Sequence, residues 1–138
     1  MDAVLNGDIV AGKEQHQLMH YLIGKLDDPH TVIDGLKINA ALRNVERHFD
    51  FELFPWEKFI FAFVAGVFYD DGSLMFDEFL VLIGRGAGKT GFMSTLEWYL
   101  TTIQGVKDYN VDIVATSEDQ AKTSFTAIHD ILESDKTK

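Results

Sequence analysis

Cysteine is absent from the chain. That excludes a disulfide framework and a thiolate metal site, and it makes a reducing cytosol, here that of a cell rather than a secretory compartment, the expected location. Proline occurs only twice, as Pro29 and Pro55, and no Pro- or Ser-rich linker, low-complexity tract or internal repeat divides the chain. Long apolar runs are missing as well. The longest, Phe59 to Phe68, is about half of the ~18 residues that a membrane helix needs. Met1 to Val10 is acidic and has no basic flank ahead of an apolar core, so no signal peptide is read there. Basic residues are scarce: 12 against 22 acidic ones, for a net charge of -10. Such a balance disfavours non-specific binding of nucleic acid by this stretch as a whole.

What is present suits one modest core. Hydrophobic residues make up 46% of 138, which fits a globular chain and argues against disorder. The pattern predicts helices over Glu14 to Leu26, Ile38 to Phe49 and Trp56 to Phe68, the last opened by Pro55 and apolar almost all round, hence buried. Asn6-Gly7, Asp28-Pro29 and Asp71-Gly72 read as turns. Leu74 to Ile83 is a strand candidate. After a helix-like stretch, Phe92 to Leu100, Val111 to Ala115 reads as a short buried strand rich in β-branched residues. Ser117-Glu118-Asp119-Gln120 is a capping box that opens a helix toward Leu132. Strand, helix, strand, helix is the beginning of an α/β parallel sheet. The expected organisation is a helical segment over 1–53 followed by the first part of a nucleotide-binding α/β domain over 54–138.

The most informative residues are Gly84-Arg85-Gly86-Ala87-Gly88-Lys89-Thr90. They follow the apolar run Phe79 to Ile83 and precede a helix, which is the setting of a phosphate-binding loop. A tight turn of small residues aims successive N–H groups into one concavity, and the helix start adds its own free donors and the positive end of its dipole. The strict pattern G-x-x-x-x-G-K-[ST] is broken at its first glycine, where Ile83 stands. On this reading the N–H groups from Arg85 to Lys89 cradle a β-phosphate, the Lys89 ammonium bridges β- and γ-phosphates, and the Thr90 hydroxyl binds Mg2+. Arg85 either reaches the γ-phosphate or is a surface arginine paired with Asp112 or Glu118. The charge is locally favourable: Arg85, Lys89 and Lys107 stand against Glu97 and Asp108, whereas Lys58 is the one basic residue between Phe51 and Glu78.

Other chemistry-bearing residues have simpler readings. His16 and His20 lack the glutamate that a zinc-protease helix places after its first histidine. Ser117 is explained by capping, and Asp130 and Glu133 by the wet face of a helix. Asp77-Glu78 imitates an acidic strand end, but it lies seven residues before Gly84, roughly 23 Å away along a strand.

Four stretches together resemble the large subunit of a tailed-phage DNA-packaging terminase. They are Val4 to Lys13, Phe54-Pro55-Trp56-Glu57-Lys58-Phe59-Ile60, Leu82 to Thr90, and Ala115-Thr116-Ser117-Glu118-Asp119-Gln120-Ala121. The resemblance implies an ATPase of the P-loop class, with ATP and Mg2+ as cofactors and Lys89 and Arg85 as its catalytic cations. It implies that Gly84, Arg85, Gly86, Ala87, Gly88, Lys89 and Thr90 hold the phosphates and that Trp56 and Glu57 face the adenine. Double-stranded viral DNA, a small terminase subunit and a portal protein are the implied partners of the full-length motor, in the cytoplasm of a bacterial host and as a homo-oligomeric ring. Glu57 stands where the family usually has Gln, and an ionised carboxylate cannot donate to a base edge. Trp56 has two open readings, a base shelf or a buried aromatic at a helix start. The acidic pair that the family uses for magnesium and water, and its nuclease domain, are not found in the sequence. The chain by itself is therefore expected to be inactive in hydrolysis. A truncated prophage remnant, or a fragment that binds nucleotide or a partner without turnover, is the alternative; a helicase-like or kinase-like NTPase is a weaker one. In that class further strands lie between the loop strand and the one at Val111 to Ala115, so the isolated chain is expected to be marginal or to associate through apolar strand edges. A sharp thermal transition from a clean monomer would count against this.

Overall fold

The structure, a computed structural model, describes residues 1–134, which leaves 135–138 of the second predicted region outside the described residues. The order of elements is α1 (Asp2–Leu5), α2 (Lys13–Leu26), β1 (Thr31–Ile33), α3 (Gly35–His48), α4 (Pro55–Gly66), β2 (Val67–Tyr69), α5 (Lys89–Trp98), a π-helical turn (Tyr99–Ile103) and α6 (Glu118–Glu133). The fold is mixed and rich in helix, with a small antiparallel sheet in which Thr31, Val32 and Ile33 face Tyr69, Phe68 and Val67. No described helix is long and apolar enough to cross a membrane.

The helices form where the periodicity places them. Helix α4 starts at Pro55, whose fixed φ suits a first turn. It is buried on opposite sides: Phe61 is fully covered and Phe63 nearly so. Phe61 belongs to the main core with Ala41 and Val45 of α3, Leu53, Phe92, Trp98 and Tyr99. Phe63 belongs to a second cluster with Met19 and Leu22 of α2 and with Val67. The main core therefore draws on residues from both sides of position 53. Helix α4 ends earlier than its pattern suggests, because Val67–Tyr69 pairs with β1. Close packing of α4 on the start of α3 needs Gly66. A Cβ there would overlap Ile38 and lie 2.9 Å from the carbonyl of Asp34, while the Gly66 carbonyl accepts the Asp34 N–H at 2.8 Å.

The parallel sheet does not form among the described residues. Leu74 to Ile83 makes no ladder beyond one bridge, Phe68 to Leu74, and Val111 to Ala115 makes none. A strand has no hydrogen bonds of its own, so β-branched and apolar residues are insufficient without a neighbour to pair with. Alternating burial is confined to short stretches: Val81 and Ile83, and Val111 and Ile113, are half-buried, while Leu80, Leu82 and Val114 are exposed, and Phe79 is exposed out of step. The sequence also gives no warning of α1 or β1, both very short.

Helix α5 is buried on both sides. Phe92, and Tyr99 in the π-helical turn that follows, face α4 through ring contacts to Trp56 and Phe61. Ser94 and Glu97 lie on the opposite stripe by helical spacing, and α6 packs along α5. Glu97 is 3% exposed, and its Oε1 has no hydrogen-bond partner among the described residues. Burial pushes its carboxyl above the usual carboxylate range. The sign of the pH effect follows. A folded-state value above the unfolded one leaves the native state holding more protons, so this group's contribution to stability is fully present at low pH. It is lost as pH rises from about 4.5 through the folded-state value. Glu97→Gln is expected to remove that decline: in urea titrations its advantage over the parent should be larger at neutral pH than at pH 4. Equal differences at both would refute the assignment.

Candidate functional site

The turn before α5 is built on two left-handed glycines. Gly86 has φ of 81° and Gly88 of 85°, a region that L side chains rarely adopt. Gly88 is the N-cap residue of α5. It is also the point of closest approach to the start of α4, for a Cβ would meet Glu57 Oε1 at 2.6 Å and the Phe54 ring at 3.0 Å. Among the described residues, no N–H from Gly84 through Gly91 donates to a protein acceptor. The turn opens onto a concavity of about 270 Å³ lined by Arg85, Gly86, Gly88, Lys89, Thr90 and Gly91. Ala87 is half-buried and Gly84 is exposed, and both lie outside that lining.

Among the described residues, the charged side chains that line the concavity are those of Arg85 and Lys89, with the Glu57 carboxylate behind Gly88. Lys89 folds its ammonium back onto the end of the preceding apolar segment, donating to the carbonyls of Ile83 at 2.9 Å and Gly84 at 2.6 Å. Arg85 is exposed and has no ion pair among the described residues. Neither acid considered for it is its partner; Glu118 pairs with Lys122 on α6. Thr90 is exposed and its hydroxyl makes no hydrogen bond among the described residues, whereas the Thr90 carbonyl accepts from Ser94 Oγ at 3.1 Å. Among the described residues no three acids or histidines stand close enough to hold a metal ion. A magnesium ion that arrives with phosphates, keeps several waters and takes one hydroxyl is compatible with Thr90.

The two residues expected to face a base, Trp56 and Glu57, both lie in the first turn of α4. Trp56 is half-buried and sets its ring edge against Phe92, with centroids 5.2 Å apart. This is the packing of a helix-start aromatic. Glu57 is 2% exposed, and its Oε2 accepts the Phe54 N–H at 2.7 Å, capping α4. Burial raises its carboxyl above the ordinary range, and that hydrogen bond works in the opposite direction. Phe51 and Phe54 are the aromatics that sequence reasoning missed as site residues. Both are exposed, and their rings lie against Gly91 and Gly88. Proximity of Phe54 to Pro55 was visible, but nothing in the pattern says that a loop over thirty residues later returns to it. Asp77 and Glu78 are exposed and border other hollows, away from the glycine turn. His16 and His20 belong to no metal grouping among the described residues.

No family model, curated protein or solved structure matches the chain.

Gly88→Ala combines a strained φ with a Cβ directed at a buried carboxylate. It is expected to destabilise the chain by about 1–3 kcal/mol. Gly84→Ala meets open space and should change stability by less than about 0.5 kcal/mol. Urea denaturation of the pair checks this; equal effects would show that the left-handed turn is not held as described.

Proposed function

We propose that the chain is the ATP-binding segment of a phage terminase large subunit, the motor that couples ATP hydrolysis to packaging of viral DNA. The turn from Gly84 to Thr90 holds Mg2+-ATP. The observation that carries this reading is the open turn itself: left-handed Gly86 and Gly88, unpaired N–H groups, a helix start, and two cations with no acidic partner. A helix N-terminus disfavours a nearby cation unless an anion joins it, and a polyphosphate supplies that anion. Lys89 then exchanges two neutral carbonyls for phosphate oxygens, Thr90 binds the ion, and Arg85 meets the γ-phosphate.

The finer fold belongs to the same proposal. Phe79 to Ile83 and Val111 to Ala115 are strands of a parallel P-loop sheet that further strands complete. The alternating burial of Leu80 to Ile83 and of Val111 to Val114 supports it. Double-stranded DNA, the small terminase subunit and the portal protein are partners of the assembled motor, a ring in the bacterial cytoplasm, rather than of this acidic segment. A second reading is favoured by one observation: among the described residues, no carboxylate lines the concavity. Within this chain, binding without turnover is the expected activity, as in an excised fragment or prophage remnant.

Titration of the chain with ATP, with and without Mg2+, tests the reading. Lys89→Ala should weaken binding at least about tenfold, the loss of one charge-assisted contact. Thr90→Ala should reduce the benefit of Mg2+. Unchanged binding in Lys89→Ala rejects the proposal.

A further inference from the structure

The segment Phe79 to Ile83 leaves its backbone open and carries a sequence that is complementary to itself. We propose that a second copy of this chain pairs with it, antiparallel and centred on Val81, so that Asp77 of one copy meets Arg85 of the other at both ends of the ladder. Nothing in this pairing depends on what the glycine turn holds, and it takes one of the two edges that a strand has.

Three observations lead there. The first is the edge. Among the described residues, no backbone N–H or C=O from Phe76 to Leu82 pairs with another backbone group. The carbonyls of Ile83 and Gly84 accept from the Lys89 ammonium. Leu80 and Leu82 are 86% and 83% exposed. From Phe79 to Ile83 there is no proline, glycine or charge to blunt the edge. A row of free donors and acceptors on apolar residues is a template for another strand.

The second is the register. Antiparallel pairing about Val81 sets Val81 on Val81, Leu80 on Leu82 and Phe79 on Ile83, so every apolar residue meets an apolar one. Two positions further out, Asp77 stands opposite Arg85. Both are exposed, and neither is in an ion pair among the described residues. Centring on Leu80 instead would set Ile83 on Asp77, and centring on Leu82 would set Phe79 on Arg85. Parallel, in-register pairing would set Asp77, Glu78 and Arg85 each on its own counterpart, and like charges directly opposite are destabilising. The charges therefore select one alignment. Both copies use the same patch, so the contact is isologous and closes at two.

The third is the floor. Beside the segment lies a hollow of about 360 Å³, lined among others by Leu18 and Tyr21 of α2 and by Phe59, Ile60 and Phe63 of α4. Leu18 and Tyr21 are exposed. The inner side chains of an arriving strand meet apolar surface there in place of water.

Sedimentation velocity of the full chain over a range of concentrations tests this, without nucleotide, which would compete for Arg85. A monomer–dimer equilibrium is expected. Asp77→Arg and Arg85→Asp should each raise the dissociation constant at least about tenfold, because each sets like charges opposite one another at both ends. An equimolar mixture of the two variants should dimerise again, since every contact between them joins an acid to a base. The chain lacks cysteine, so an introduced thiol reads the register without altering either charge. Facing Cα atoms of an antiparallel pair lie about 4.5–5.5 Å apart, within the reach of a disulfide. Val81→Cys should cross-link to itself on mild oxidation, and Leu80→Cys and Leu82→Cys only when mixed with each other. Should a charge variant lose its helical circular dichroism, the thiol series decides alone. A chain that stays monomeric at every concentration overturns the proposal. So do folded charge variants that stay apart when mixed, self-cross-linking of Leu80→Cys, or growth beyond two copies.

Discussion

Helix α4 is the constraint on which the rest depends. It is apolar almost all round, so no surface position is open to it, and it must be covered on every side. The chain achieves this by packing α3 and α5 against the Phe61 side and α2 with the Phe76 region against the Phe63 side. Residues far apart in sequence are brought to its N-terminus as a result. The Glu57 carboxylate that caps α4 is the same group that a side chain at Gly88 would strike. The cap of one helix thus fixes how close the turn of another can come.

That junction explains the chemistry at the site. Because Gly88 must be left-handed and side-chain-free, α5 begins abruptly, with its first donors unshielded. Glu57 is buried in the cap and is not among the residues that line the concavity, whose charged residues are Arg85 and Lys89. Read as sequence, the Glu57 carboxylate is a group that cannot donate to a base edge; in the fold it serves the helix end.

Helices were legible because their information is local. The stripes of α2, α3 and α6, the proline that opens α4 and the serine before Glu118 each act within a turn or two, and Ser117 does accept the Gln120 N–H. The turn before α5 was legible for the same reason. Sheet structure was not. Phe79 to Ile83 and Val111 to Ala115 carry strand composition, but pairing is settled by partners that composition cannot supply, while β1 and β2 pair as three-residue pieces too short to leave a pattern. The roles of Trp56 against Phe51 and Phe54 were equally hidden. All are aromatics near one proline, and only the packing of Phe92 decides which ring is covered.

One contact described above links these regions. With its ammonium resting on the carbonyls of Ile83 and Gly84, Lys89 acts as a latch between the helix start and the end of an unpaired apolar segment. An anion that pulled the ammonium away would free two acceptors at the tip of that segment and leave it able to take donors from a neighbouring backbone. Occupancy of the turn and the pairing state of Phe79 to Ile83 would then be two readings of the same lysine.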